Sequence, residues 1–286
     1  MKKTALSLRL LLLGLSCWTA LAHVSAQSPA DSAAIAQARW TTVSEKDGIA
    51  CKKTRLHVFG TEQRISMLEI DPERYRIALA QDSLRTKTSV LGRGYGAAAA
   101  INGGYFKTGT RQAVASDFIK IDGTFPPRMG GAGDGAALEI DRDGRIRIGR
   151  RKTAADATPW HENCASAMVV GPLLVENGRG LFGRDASTDR HPRSCIGLEA
   201  DGTVVLIVVD GRQDHAAGMS FRELAYLCRQ LGMTDALNLD GGGSSTLWVR
   251  GEGIVNSVSD RLLVFPVERP VANAVLVLPR QSERHP

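Results

Sequence analysis

"TVVLIVV" (203–209), "MSFRELAYLCRQLG" (219–232) and "DALNL" (235–239) decide the fold expected of this chain. The first run is continuously apolar and β-branched, as in a strand buried on both faces. The second opens with Ser220 and Glu223 at capping-box spacing. Leu224, Leu227, Cys228 and Leu231 then recur at helical intervals, Met219 and Leu224 suit a hydrophobic staple, and Gly232 can end the helix. The third run is a short apolar strand. Strand, helix and strand in this order predict parallel strands joined by a right-handed crossover. The expected class is therefore α+β: mixed β-sheets with at least one parallel βαβ unit (203–240) and helices packed on the sheets.

Both strands end on an aspartate. If they are neighbours, about 4.8 Å apart, Asp210 and Asp240 emerge together at the carboxyl edge, where open α/β sheets bind ligands. "AAAAI" (97–101) ends comparably, in Asn102-Gly103-Gly104, and would add a third wall. After Asp240 come Gly241-Gly242-Gly243-Ser244-Ser245-Thr246. Three successive glycines lose conformational entropy and offer nothing to pack, so bare backbone should have a use there. A nest of inward amides fits a phosphate or a developing oxyanion; a glycine-rich bulge is the plain alternative. Arg193 in "HPRSCIG" and Arg212 in "VVDGR" suit bidentate contact with phosphate. Asn102 can meet sugar hydroxyls with both ends of its amide. His57, His161, His191 and His215 lack metal-like spacing, and only His215 falls near the expected site.

Outside these runs the chain reads as short strands and turns. "RLHVFG", "RISMLEI" and "RYRIALA" lead, "DFIKI" follows, and "AALEI" and "RIRIG" flank Asp143-Gly144, a hairpin signature. Asp122-Gly123, Asn177-Gly178 and Asp201-Gly202 repeat that chemistry, so most such pairs are turns. "GRGYGA" (92–97) fits a relaxed dinucleotide pattern with no convincing strand before it. "DRDG" (141–144) begins like a calcium loop but lacks the later ligands.

Composition bounds the rest. Residues 1–26 read as a cleaved secretory signal, with Lys2, Lys3 and Arg9 before an apolar core; lipidation at Cys17 is the minor alternative. A secreted or periplasmic protein is expected, with no stable membrane span after cleavage. Removing the signal takes the formal charge from +6 to about +3, and no basic stripe suggests nucleic acid. Residues 27–45 read as a flexible leader, 46–277 as the folded domain and 278–286 as a tail. Cys51, Cys164, Cys195 and Cys228 allow three pairings that sequence does not rank; Cys228 suits the core. No cofactor is expected, although two neighbouring aspartates leave Ca²⁺ or Mg²⁺ open. Oligomeric state is unreadable.

"AINGGYF", "DFIKIDG", "RSCIGLEADG", "VVDGR" and "ALNLDGGGSSTL" together resemble the phosphodiester glycosidase family over about 55–275. One departure is Ser194-Cys195, where Thr-Ala is more usual. The resemblance implies a hydrolase that releases a sugar from a sugar-1-phosphodiester, acting on a phosphorylated glycan or other aglycone, in cell-surface or exopolysaccharide metabolism. Carried onto this chain, it implies a site built from Asn102, Gly103, Gly104, Arg193, Asp210, Gly211, Arg212 and 238–246, including Asn238. The working assignment makes Asp240 and Asp210 catalytic, with Asp240 as base or nucleophile and Asp210 orienting the sugar. The glycine amides and arginines hold phosphate. A non-catalytic phospho-glycan binding protein of the envelope is the alternative.

Overall fold

The computed structural model describes residues 28–131, 135–151, 160–182 and 187–280; the expected signal at 1–26 lies outside them. Strands dominate. An eight-stranded sheet packs against a five-stranded sheet and a four-stranded sheet, and a small hairpin, Arg261–Leu262 with Phe265–Pro266, projects from the surface.

The expected α+β class, with mixed sheets and a parallel βαβ unit, does not hold: the fold is mostly antiparallel β-sheet, and that unit is absent among the described residues. Val204–Val209 and Asp235–Asn238 run the same way, but Arg193–Leu198 lies between them and pairs antiparallel with both. Cys195 faces Ile207 on one side and Asn238 on the other. Among the described residues every pairing between strands is antiparallel. The physical reason is local. "RSCIGL" is itself a strand, and the Asp201-Gly202 turn folds it back onto Val204–Val209 as a hairpin, the cheaper contact to close. The helix Phe221–Gln230 then carries the chain past that hairpin to the far edge.

Other expectations about this segment hold. Val204–Val209 is buried on both faces. Leu206 and Val208 join the core between the sheets, while Val205, Ile207 and Val209 pack beneath the helix with Leu224, Leu227 and Cys228. Ser220 Oγ accepts from Glu223 N at 3.3 Å, and Glu223 Oε2 accepts from Ser220 N at 2.8 Å. The capping box therefore forms. Arg190 pairs with the same Glu223 carboxylate. Gly135–Ile140 and Ile146–Arg151 form the expected hairpin, with Gly144 at φ +74°.

Residues 28–45 carry a helix and most of a strand. The helix Pro29–Ala36 is capped by Ser28 and buries Ile35 against the helix-side core, and a strand follows from Thr41. The last strand, Pro270–Pro279, runs two residues beyond the expected boundary at 277. Cys195 and Cys228 face each other as buried thiols at 3.7 Å. No helix among the described residues is long and apolar enough to cross a membrane.

Candidate active site

One end of the eight-stranded sheet opens into a cleft of about 390 Å³ lined by Tyr105, His191, Arg193, Arg212, Asp240, Gly241–Gly243 and Arg269, among others. Asp240 follows the strand Asp235–Asn238, and its backbone is clamped from the neighbouring sheet. Its amide donates to Gly103 O at 2.9 Å, and its carbonyl accepts from Asn102 Nδ2 at 2.6 Å. The carboxylate accepts from Gly241 N at 2.9 Å. Burial pushes its pKa above the ordinary carboxylate value, and hydrogen bonds from Ser244 and Gly241 with the charge of Arg269 pull it partly back.

Three guanidinium groups surround this acid. Arg193 is buried; its Nε donates to Met219 O at 2.7 Å, its Nη2 to Asp189 O at 3.1 Å, and it lies over the Phe221 ring at 3.9 Å. Burial, then the nearby Arg212 charge, lowers its pKa. Arg212 is exposed, holds a left-handed φ of +59° and reaches to 3.3 Å from His191 Nδ1. That backbone conformation is uncommon for a side chain of this size. Among the described residues neither Arg193 nor Arg212 forms an ion pair with a carboxylate. Arg269 is clamped bidentately by Asp260, at 2.7 and 2.8 Å. His191 is held below its usual pKa by burial and by Arg193 and Arg212, which favours neutral imidazole.

Two of the three glycines of the expected nest have their amides engaged by protein. Gly241 N is taken by the Asp240 carboxylate and Gly242 N by Pro192 O, at 2.9 Å. Their value is space. A Cβ on Gly243 would stand 1.9 Å from Asp260 Oδ1 and 2.1 Å from Arg269 Nη2. One on Gly242, at φ +60°, would stand 3.1 Å from both terminal nitrogens of Arg212. One on Gly241 would meet Pro192 O at 2.7 Å. Bare backbone lets two arginines close over this loop.

Several expected binding residues form the floor beneath the cleft. Asn102 is fully buried, its Oδ1 accepting from Ser194 Oγ at 2.7 Å and from Thr246 N at 3.1 Å, so both ends of the amide are engaged by protein. Gly103 and Gly104 lie against Asn273, whose Oδ1 accepts from Gly104 N at 2.7 Å. Ser244, Ser245 and Thr246 are buried. Asn238 is buried too and donates to Tyr105 Oη at 3.2 Å and Gly171 O at 3.0 Å, which positions the phenol. Burial, then Asp240, raises the pKa of Tyr105 to about 12, so it keeps its proton, which it donates to Gly171 O.

Asp210 is elsewhere. With a strand between them, the ends of the two Asp-bearing strands are about 10 Å apart rather than adjacent. The Asp210 carboxylate accepts from Ser257 N at 3.0 Å and lines a separate cavity. His215 is exposed and does not line the cleft, whereas His191 does. Tyr105, His191, Arg269 and Asp260 went unrecognised in the sequence. Tyr105 stood within the quoted "INGGYF"; Arg269, before the final strand, carries no local signal. Among the described residues no group of three or more His, Cys, Asp or Glu side chains is placed to hold a metal ion.

The family model for phosphodiester glycosidase matches residues 95–278. An uncharacterised prophage-derived protein of Bacillus subtilis is 38% identical over 140 residues, covering 47% of this chain and 21% of that protein. The N-acetylglucosamine-1-phosphodiester alpha-N-acetylglucosaminidase of Mus musculus is 28% identical over 168 residues, covering 52% of this chain and 31% of the mouse protein. This chain thus spans well under half the length of both. Among solved structures, the zebrafish catalytic domain of that enzyme, auto-inhibited by its pro-peptide, shares the fold at TM-score 0.67 and 19% identity. It covers 85% of this chain and 88% of that one. A hypothetical protein from Synechocystis gives TM-score 0.66 at 17% identity, over 85% of this chain and 64% of that one. The match to the family model takes in the cleft's Asp240, its arginines and its glycine loop, and the chain belongs to the phosphodiester glycosidase family, a family of hydrolases.

Proposed function

We propose that this protein hydrolyses a sugar-1-phosphodiester, splitting the bond between the anomeric carbon and phosphate oxygen. Water supplies a hydroxyl to the anomeric carbon and its proton to the departing phosphate or to solvent; the phosphate leaves with the electron pair of the broken bond, as a monoester attached to its aglycone. The observation carrying this reading is the partly exposed Asp240 carboxylate beside Arg193 and Arg212, which among the described residues form no ion pair; Asp189, the other acid lining the cleft, is exposed. A phosphate leaving group needs little protonation, because its second pKa is about 6, so fixed positive charge replaces the second carboxyl of an ordinary glycosidase. Arg193 and Arg212 hold the phosphate. Asp240 attacks the anomeric carbon or activates water, and Tyr105, whose hydroxyl donates to Gly171 O, borders the cleft beside it. Asn102 acts from beneath by fixing the backbone of Asp240. Residues 1–26, read as an export signal, support a cell-surface or exopolysaccharide substrate.

The test is incubation with nucleotide-sugars and sugar-1-phosphate diesters, with released sugar identified by mass spectrometry. Release by the wild type and its loss in Asp240→Asn support the assignment. Intact substrate recovered from a tight complex would instead identify a binding protein.

A further inference from the structure

The cavity holding Asp210 has a charge pattern that the cleft chemistry leaves unexplained. It measures about 410 Å³ and is lined by Arg39, Lys53, Arg55, Arg64, Asp210 and Ser257, among others. Arg55 and Arg64 are direct cross-strand partners in the antiparallel pair Ile49–Val58 with Thr61–Ile70. Like charges opposite one another on a sheet face are destabilising. One strand further, Asp210 N donates to Arg64 O at 2.9 Å, so Arg55, Arg64 and Asp210 form one row across three strands. Lys53, two residues from Arg55, lies on the same face and opposite Ser66.

Four cations thus line a cavity that holds one acid, Asp210, which Arg64 and Lys53 face. Among the described residues none of the four forms an ion pair, although neighbouring Lys52 pairs with Glu69 at 2.5 Å. Arg64 Nε is buried without a hydrogen-bond partner. An unsatisfied buried donor of a charged group is costly, and a bound oxyanion would satisfy it and offset the arginine–arginine repulsion.

We propose that this cavity is a second anion-binding site, separate from the reaction cleft, that takes a sulfate, phosphate or carboxylate group carried by a saccharide. The segment from Asp210 to Arg212 joins the two places, since Asp210 lines the cavity and Arg212 the cleft. A glycan held in the cleft can extend across that segment and place an acidic substituent among the arginines. The saccharide part of the assignment rests on the proposed glycosidase function; anion binding does not. The pocket also carries its own pH sensor. Asp210 faces Arg64 and Lys53, accepts from Ser257 N and is hydrogen-bonded by Asn256; burial nevertheless raises its pKa to about 6. Ionisation between pH 5 and pH 7 therefore adds a negative charge beside the bound anion.

The experiment is an amide NMR titration of the full chain with sodium sulfate, glucose 6-sulfate and glucose at constant ionic strength. Sulfate keeps its charge over the range used. Shifts at 53–66 and 210 report this cavity, and shifts at 191–193, 212 and 241–243 report the cleft. Arg64→Gln is expected to weaken sulfate binding at the cavity about tenfold, the scale of one charge-assisted hydrogen bond, while cleft shifts persist. Arg55→Gln, at an exposed position, gives the same direction if Arg64→Gln fails to fold. Affinity should fall from pH 5 to pH 7, and Asp210→Asn should remove that fall. Glucose 6-sulfate should bind at least as tightly as sulfate, and glucose should leave the cavity shifts unmoved. Cavity shifts absent with sulfate, or an affinity unchanged in both arginine variants, overturn the site. Glucose 6-sulfate binding more weakly than sulfate overturns its assignment to a saccharide. These readouts do not involve turnover, so a failed hydrolysis assay and a failed anion site remain distinct results.

Discussion

Asp240 and Asp210 begin from the same local sequence, a buried apolar strand ending in Asp-Gly, and finish in different chemistry. Asp240 opens into the cleft beside Arg193 and Arg212; Asp210 faces Arg64 and Lys53 in another cavity. Asp210 is buried and Asp240 partly exposed, yet desolvation raises the pKa of both, so the direction of titration does not tell them apart. The partner strand does. Arg193–Leu198 inserts between their strands and sends the two carboxylates to different company. A perturbed acid becomes a catalytic candidate through what converges on it.

The widest separation between the two acids should appear in turnover. Asp240→Asn is expected to lower kcat by at least about 10²-fold, the lower range for a residue doing acid–base or nucleophilic work, with substrate binding retained. A much smaller loss in Asp210→Asn would complete the contrast; a larger one would reverse the assignments. The pH profile of kcat/KM in the wild type should show an acidic limb above the ordinary carboxylate pKa, activity falling as Asp240 becomes protonated. Asp240→Asn should lose that limb in its residual activity.

Arg212→Ala should reduce kcat/KM by about 10- to 10²-fold, as expected for one charge-assisted contact of about 1.5–3 kcal/mol. A neutral sugar conjugate without phosphate should show no such penalty. Asn102→Ala would strand Ser194 Oγ, Thr246 N and the Asp240 carbonyl in the floor of the cleft. Its expected cost is about 2–3 kcal/mol in unfolding free energy, read from urea denaturation; unchanged stability with lost substrate affinity would return Asn102 to direct sugar contact. Gly243→Ala must displace Arg269 or Asp260, and overpacking of this kind costs about 1–3 kcal/mol.

The smallest separation is thermodynamic, and its sign follows from linkage. Burial raises the pKa of Asp210 from its ordinary 3.8 to about 6 in the folded state. The folded state binds the proton more tightly, so this group makes stability fall as pH rises from about 4 to 6. A rise of that size corresponds to roughly 3 kcal/mol at most. Asp210→Asn should flatten that part of the profile and raise the midpoint of unfolding at pH 7, measured by thermal melts at both ends of the range.

Local sequence was informative wherever the deciding interactions were local. Val204–Val209 is buried on both faces as its β-branched run indicates, the Ser220–Glu223 box caps its helix, and Asp143-Gly144 closes its hairpin. The triple glycine correctly marked a place where a backbone is approached closely. What approaches is not written there, because open amides and empty space leave the same letter in the sequence. Asn102, Asn238 and 244–246 were recognisable as motif residues, yet a motif does not distinguish contact with ligand from support of the residue that makes it.

What the sequence alone determined is the family and the periodic elements, since both depend on residue types at short, fixed spacings. Strand order, the company of each aspartate and the arrival of Arg269 beside Gly243 were decided only in the tertiary structure. These depend on pairings among segments far apart in the chain. A helix returning to a sheet can land on either side of a hairpin already in place, and its own sequence carries the same caps and apolar stripe in both cases.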